Sequence, residues 1–169
     1  WITTLLKALL LDKDERAYMS NFNKKIEKIA KEAVISNFFN KCKNDSYELG
    51  VNTPHIVFNY LDYLLWKADY DSNKNKYKDF VFEFRNSVEH WYPQNPSGGT
   101  FDPWINGKDT FGNLCLLQRN VNSQFSNLAP ESKKSTYIER IEKGSLKLRI
   151  MSDLTVAKNG KIASYYWKD

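Results

Sequence analysis

Residues 79–91 read DFVFEFRNSVEHW, and this stretch decides the fold class. Phenylalanine stands at every second position from residue 80 to residue 84, which is the period of two that a β-strand shows. The pattern continues to Trp91, and two prolines and a pair of glycines follow it. The sequence therefore predicts one strand over residues 79–91 that runs into a turn.

A second short strand is predicted at residues 112–117, where the sequence reads GNLCLL. A long loop that contains Trp104 separates it from the first strand. A short helix is predicted directly afterwards, at residues 120–127. The order strand, long loop, strand and helix is therefore expected for residues 79–128.

Helical patterns lie on both sides of this unit. Residues 1–11 are mostly apolar and indicate a buried helix, and apolar side chains recur at helical spacing in residues 15–43. Residues 55–69 form a further apolar helix. Pro130 suits the first turn of a helix that ends near residue 143.

These patterns predict an α+β fold class, in which a mostly helical domain contains an embedded ββα unit. We expect one compact domain in three parts. They are a helical layer at residues 1–78, a core at 79–128, and a C-terminal helical segment at 129–169 that packs on the core. After the helix that begins at Pro130, residues 144–169 are expected to hold one short helix and a mixed tail.

Composition excludes several classes of protein. The 169 residues are 41% hydrophobic and 15% aromatic, which suits a globular domain rather than a disordered tail. No apolar run reaches the roughly 18 residues that a membrane span needs. Cys42 and Cys115 are too few for a disulfide framework. No signal peptide opens the chain, so we expect a cytoplasmic protein. The start at Trp1 indicates a piece of a longer chain.

The net charge of +5 is unevenly distributed. Residues 89–117 carry a net −2, and residues 118–150 carry a net +4. Acids that hold a cation beside bases that hold phosphates suit a metal-dependent enzyme acting on a polyanion. A solvated helix face is the alternative explanation of the same charges.

The chain has two histidines, and His90 is the stronger candidate for chemistry. It lies at the predicted end of a strand, directly after Glu89. Neighbours on a regular strand point to opposite faces, so the two side chains can share one site only where the strand regularity breaks. A packed or hydrogen-bonded His90 is the alternative. His55 follows Pro54, and we expect it to be structural or exposed.

Asn113, at the second strand, and Asn122, nine residues further on, complete an ordered pattern. The pattern resembles the ββα-metal, or HNH, nuclease site. The motifs VEHWYPQ, GNLCLLQ and NSQFSN followed by SKK resemble the C-terminal nuclease domain of the GmrSD-type modification-dependent restriction endonucleases. This resemblance covers about residues 86–134.

The resemblance implies a role for each matching residue. His90 matches the general base, which takes a proton from water. Glu89 and Asn122 match the metal-binding positions, and hard oxygen ligands suit Mg²⁺ or Mn²⁺. Asn113 matches the residue that holds the loop and orients the imidazole. The HNH name implies a histidine where this chain has Asn122, and Asn120 is the alternative ligand if the helix register differs.

Three basic residues flank the motifs, and we expect them to contact phosphates: Arg119, Lys133 and Lys134. Lys134 matches the terminal lysine of the family pattern. Trp91 and Trp104 could stack on bases, but core packing is the preferred interpretation.

The resemblance implies a metal-dependent DNA endonuclease that acts in defence against foreign DNA, including DNA with modified bases. The alternatives are a catalytically silent nucleic-acid-binding module and an RNA-directed nuclease. The expected partners are DNA and an N-terminal sensing or nucleotide-binding module of the full-length protein. Cleavage of both strands by a one-site domain would favour a homo-oligomer.

Overall fold

The computed structural model shows an α+β chain that is mostly helical, with short antiparallel strand pairs. None of the helices in its described part has the length and apolarity to cross a membrane. The helix predicted at residues 1–11 and Trp104 lie outside the described residues. The structure describes residues 15–42, 47–95, 97, 107–155, 157–158 and 161–162, with the backbone alone at 15–20, 157–158 and 161–162.

The helices predicted in residues 15–43, 55–69, 120–127 and 130–143 are confirmed. A π-helical turn at Ile35–Phe39 extends the first of them, and 3₁₀ turns lie at Gly50–Asn52 and Phe111–Asn113. The elements are α1 (Glu15–Val34), α2 (His55–Asp71), β1 (Ser87–His90), β2 (Leu114–Leu117), α3 (Arg119–Phe125), α4 (Pro130–Glu142), α5 (Leu146–Asp153), β3 (Ala157–Lys158) and β4 (Lys161–Ile162).

The first strand is shorter than predicted, because it begins at Ser87 rather than at residue 79. In the register of the sheet Ser87 pairs with Leu117, the last residue of β2. Residues 79–85 therefore lie beyond the end of β2 and have no strand to pair with in this sheet. The alternating phenylalanines therefore form no ladder. Phe80 is buried, whereas Val81, Phe82 and Phe84 are exposed, Phe84 at 82%.

The β1–β2 sheet lies between two helical layers, and all four residues of β2 are buried. Leu114 and Leu116 pack with Phe58 of α2 on one face. Cys115 and Leu117 lie on the other face, in a cluster drawn mainly from α3, α4 and α5. The sheet is therefore held on both faces by apolar contacts, each fully buried aliphatic side chain contributing about 1.5–3 kcal/mol. Trp91, Val121, Phe125, Ile141, Leu148 and Met151 complete the second cluster.

The predicted core positions of Trp91 and Cys115 are confirmed. Trp91 is almost fully buried, and its indole Nε1 donates a 3.0 Å hydrogen bond to Thr155 Oγ1. Burial raises the pKa of the Cys115 thiol to about 12. Cys115 is therefore a small apolar core residue and a poor nucleophile.

The start of α5 is anchored to α2 across the core. The side chain of Ser145 caps α5 by accepting from the backbone N–H of Leu148, and the buried carboxylate of Asp62 accepts from the N–H of Lys147 at 3.0 Å. A helix N-terminus leaves N–H groups without intrahelical partners, so an acceptor from another helix satisfies them. These contacts fix α5 against α2.

Lys147 is a buried cation at the start of β2. Its Nζ donates to the carbonyls of Phe111 and Leu114, at 2.9 and 2.6 Å. Burial lowers the pKa of the Lys147 ammonium to about 8, from an ordinary value of 10.5. The charged form therefore costs stability in the folded state at neutral pH.

This burial predicts a pH dependence of stability. Between pH 8 and 10.5 the folded chain has released the Lys147 proton while the unfolded chain still holds it, so the free energy of unfolding contributed by Lys147 rises with pH. The rise is at most about 1.4 kcal/mol per pH unit. We expect the free energy of unfolding of wild type, measured by urea unfolding, to rise relative to that of Lys147→Met between pH 8 and pH 10. A constant difference would contradict this result.

Candidate functional site

Glu89 and His90 leave β1 on opposite faces. Glu89 pairs with Cys115, whose side chain lies in the cluster on the α3–α5 side. His90 pairs with Leu114, whose side chain packs toward α2. Because residues directly opposite in an antiparallel pair point to the same side, the regular alternation extends to the end of β1. The structure thus separates the two side chains, which we expected to converge where the strand regularity breaks.

The imidazole of His90 is held by a carboxylate. Its Nε2 lies 2.7 Å from Asp109 Oδ1, which also accepts a 3.2 Å hydrogen bond from Gln94 Nε2. A carboxylate beside Nε2 favours the tautomer with the proton on that nitrogen, so Nδ1 is left as the basic atom. Within the described residues no hydrogen bond reaches Nδ1. His90 can therefore accept a proton from water there.

Asp109 was not among the site residues predicted from the sequence. It lies in the turn just before Phe111–Asn113 and β2, and Leu114 at the start of β2 pairs with His90. An antiparallel partner strand therefore brings the residues that precede it beside the end of β1. The sequence does contain an acidic residue at this point, in GKDTFGN, five residues before Leu114. Its position beside His90 follows only from the register that pairs Leu114 with His90.

Gly50 supports the Asp109 turn from the other side. Its N–H donates to the Asp109 carbonyl at 3.1 Å, and its φ of +54° lies in the left-handed region. A Cβ on Gly50 would lie 2.9 Å from Asp109 Oδ1, the oxygen that holds His90. Glycine is therefore required here both for the backbone conformation and for space.

Asn113 joins the two loops of the site. It is 0% exposed; its Oδ1 accepts from the N–H of Tyr92, and its Nδ2 donates to the carbonyls of Tyr92 and Lys108. These bonds, of 2.8–3.0 Å, tie the segment after β1 to the turn that carries Asp109. The contacts fit the loop-holding role that the resemblance implies for Asn113.

Asn122 faces the same side of β1 as Glu89. Its Nδ2 donates a 2.6 Å hydrogen bond to Ser87 Oγ. Ser87 and Glu89 are two residues apart on a strand, so their side chains share a face. Asn120 is exposed, so the register of α3 turns Asn122 rather than Asn120 toward the strand.

The three basic residues of the sequence pattern lie in different surroundings. Arg119, the first residue of α3, is exposed. The ammonium of Lys134 donates to the carbonyls of Ser152 and Thr155, at 2.7 and 3.0 Å. Lys133 is fully buried, and its ammonium contacts Glu89. The structure therefore does not support phosphate contacts by Lys133 and Lys134, because their ammonium groups are engaged within the protein.

Glu89 and Asn122 are the oxygen-bearing residues that could hold a divalent cation. Among the residues that the structure describes, no group of three or more His, Cys, Asp or Glu side chains forms a metal cage. Mg²⁺ does not need one, because it keeps several waters and commonly binds one or two carboxylates together with substrate phosphates. The carboxylate of Glu89 and the amide oxygen of Asn122, which face the same side of β1, are ligand types that Mg²⁺ accepts.

Fold and site together define a class of protein: an α+β domain whose short sheet, between helical layers, presents a histidine beside a carboxylate. The family model for the C-terminal domain of the GmrSD restriction endonucleases matches residues 33–165. This match spans well over half of the chain, which therefore belongs to that family. No curated protein and no solved structure matches the chain.

Proposed function

We propose that this domain is a metal-dependent endonuclease that hydrolyses DNA phosphodiester bonds with His90 as the general base. Membership of the GmrSD C-terminal family supports a restriction-type nuclease. The observation that carries the finer proposal is the 2.7 Å contact between His90 Nε2 and Asp109 Oδ1. It gives His90 a fixed tautomer with Nδ1 as its basic atom.

The proposed reaction begins when His90 Nδ1 takes a proton from a water molecule. The water oxygen forms a bond to phosphorus while the bond from phosphorus to the 3′ oxygen breaks, and the departing 3′ oxygen takes up a proton from solvent. The carboxylate of Asp109 stabilises the imidazolium that forms. Asp109 is thus a positioning residue, which acts on the reaction through His90.

Glu89 and Asn122 would hold Mg²⁺ or Mn²⁺ in this proposal. The ion would supply charge neutralisation at the phosphate and at the leaving oxygen. Because His90 lies on the other face of β1, the base and the residues that would hold the cation would act from opposite sides of the strand. The exposed Arg119 would contact the DNA backbone.

Nicking of supercoiled plasmid by the purified domain tests this proposal. We expect cutting with Mg²⁺ or Mn²⁺, loss of cutting in EDTA, and a strong reduction in Asn122→Ala. Mn²⁺ should also raise the melting temperature of wild type and not that of Asn122→Ala. Cutting that persists in EDTA would contradict the metal assignment.

Gly50→Ala is expected to weaken the site through Asp109. The new Cβ would crowd Asp109 Oδ1, and the left-handed backbone would cost about 1–2 kcal/mol for a residue with a side chain. We expect a lower melting temperature and roughly tenfold slower nicking, a loss within the range ascribed to misplaced catalytic groups. Gly144→Ala is the matched control, because its Cβ would meet Leu148 and Ile141 instead. Equal nicking rates for the two variants would contradict this role.

The ion pair between Glu89 and Lys133 favours a second candidate function, a nucleic-acid-binding module without turnover. Lys133 already neutralises the carboxylate of Glu89, so Glu89 does not need a divalent cation to balance its charge. Such a module should retard DNA equally with and without divalent metal and should not cut it. Parallel assays on RNA would test whether the phosphodiester substrate is DNA.

The biological role, location and partners of the domain are also part of the proposal. A defence role and an N-terminal sensing or nucleotide-binding module follow from the resemblance. A homo-oligomer would suit a one-site domain that cuts both strands, and a cytoplasmic location is proposed with it. Cutting of plasmid compared with phage DNA that carries modified bases tests the defence role.

A further inference from the structure

Lys133 makes three close contacts at the end of β1. Its Nζ lies 2.8 Å from Glu89 Oε1, 2.7 Å from the carbonyl oxygen of His90 and 3.1 Å from that of Trp91. The rings of Trp91 and Phe125 lie 6.0 and 5.5 Å from the same atom. One buried cation therefore contacts both residues of the Glu-His pair, one through its side chain and the other through its backbone.

The surroundings of Lys133 exclude a direct role at the DNA backbone. Its side chain is 0% exposed, whereas the Glu89 side chain is 13% exposed. Within the described ranges no hydrogen bond reaches the second carboxylate oxygen of Glu89, Oε2. The ammonium thus binds Glu89 from the inside and leaves one oxygen for a ligand from outside.

A buried charge persists only when it is paired and hydrogen-bonded. The carboxylate and two carbonyls supply three acceptors for the three donors of the ammonium. These contacts also fix the direction of the Glu89 side chain and of the backbone at His90. Lys133 is therefore built into the site and does not belong to its surface.

We infer that Lys133 is the resident counter-ion of Glu89: it positions the carboxylate before a divalent cation binds and limits how tightly that cation is held. This inference rests on the proposed function, because it assigns Glu89 to a metal. The ammonium and the cation share one carboxylate and repel each other. Lys133 is thus a positioning residue: it fixes the direction of the Glu89 carboxylate and at the same time lowers the affinity for the cation.

Binding of Mn²⁺ alone, measured by calorimetric titration, tests the inference apart from activity. Folded Lys133→Met is expected to bind Mn²⁺ on the order of tenfold more tightly than wild type, because the repelling charge is gone. Its maximal nicking rate should fall, since the carbonyls of His90 and Trp91 lose their donor, while the KM for plasmid stays unchanged. Lys147→Met is the matched control. This lysine is also buried and also donates to backbone carbonyls, but it does not contact Glu89. The Mn²⁺ affinity of this variant should therefore equal that of wild type.

A double-mutant cycle shows whether the effect passes through Glu89. In a Glu89→Gln background, Lys133→Met should no longer change Mn²⁺ affinity. If Lys133→Met does not fold, Lys133→Gln keeps a donor without the charge and takes its place. Unchanged or weaker Mn²⁺ binding by the folded variant, or an equal change in the Glu89→Gln background, would overturn the inference. Failure of wild type both to bind Mn²⁺ and to nick DNA would instead overturn the proposed function.

Discussion

Replacement of His90 by Ala is expected to reduce the nicking rate by about 100- to 10,000-fold, the range that general-base catalysis supplies. In the proposed mechanism the imidazole accepts the proton of water, and its Nε2 is held 2.7 Å from Asp109. The loss should fall on the maximal rate, because His90 is buried at the end of β1 and contributes little to DNA affinity. Plasmid nicking at saturating Mn²⁺ measures this effect.

The control for this prediction is Asp109→Asn, which keeps a group of the same size beside Nε2. It should lower the rate less than His90→Ala does, because the imidazole keeps a hydrogen-bonding partner at Nε2 while the imidazolium loses its carboxylate. Unaltered nicking by a folded His90→Ala protein would rule out the histidine base. A wild-type nicking rate for Asp109→Asn would remove Asp109 from its positioning role.

Asn113→Ala is expected to lower the free energy of unfolding by about 2–4 kcal/mol, because three hydrogen bonds to buried groups are lost together. A domain of this size has a total stability of about 5–15 kcal/mol, so this is a large fraction. Nicking should be lost as well, since the loop that follows His90 is no longer tied to the turn of Asp109. Urea unfolding followed by fluorescence measures the change as a shift of the midpoint.

Asn59→Ala is the matched control for this substitution. Asn59 is exposed on α2, and its replacement should change the free energy of unfolding by less than about 0.5 kcal/mol. A similar midpoint for Asn113→Ala and Asn59→Ala would show that the three bonds of Asn113 add nothing to stability.

The helices were predictable because their signals are local. Apolar spacing indicated α1 and α2, and Pro130 indicated the start of α4. The first strand was predicted too long, because the alternation of phenylalanine with other residues indicates an extended chain but does not indicate how long the partner strand is. β2 ends at Leu117, and that boundary decides where β1 begins.

The candidate site was predictable in part. The resemblance of the surrounding motifs implied the set of Glu89, His90, Asn113 and Asn122, and the structure places all four around the β1–β2 sheet. Asp109 was not found, since only the strand register brings it to His90. The buried position of Lys133 could not be predicted either, because a Lys-Lys pair in a polar stretch is typical of a solvated helix face.

The pairing of β1 with β2 has a consequence for the order of folding. The strands are joined across the 23 residues between His90 and Leu114, and closing a loop of that length carries an entropic cost that a helix does not. Local helices such as α1 and α2 can therefore form before the sheet. A nascent or partly unfolded chain would then contain helices while His90 and Asp109 are still apart, so hydrolytic capacity would arise only at the last stage of folding.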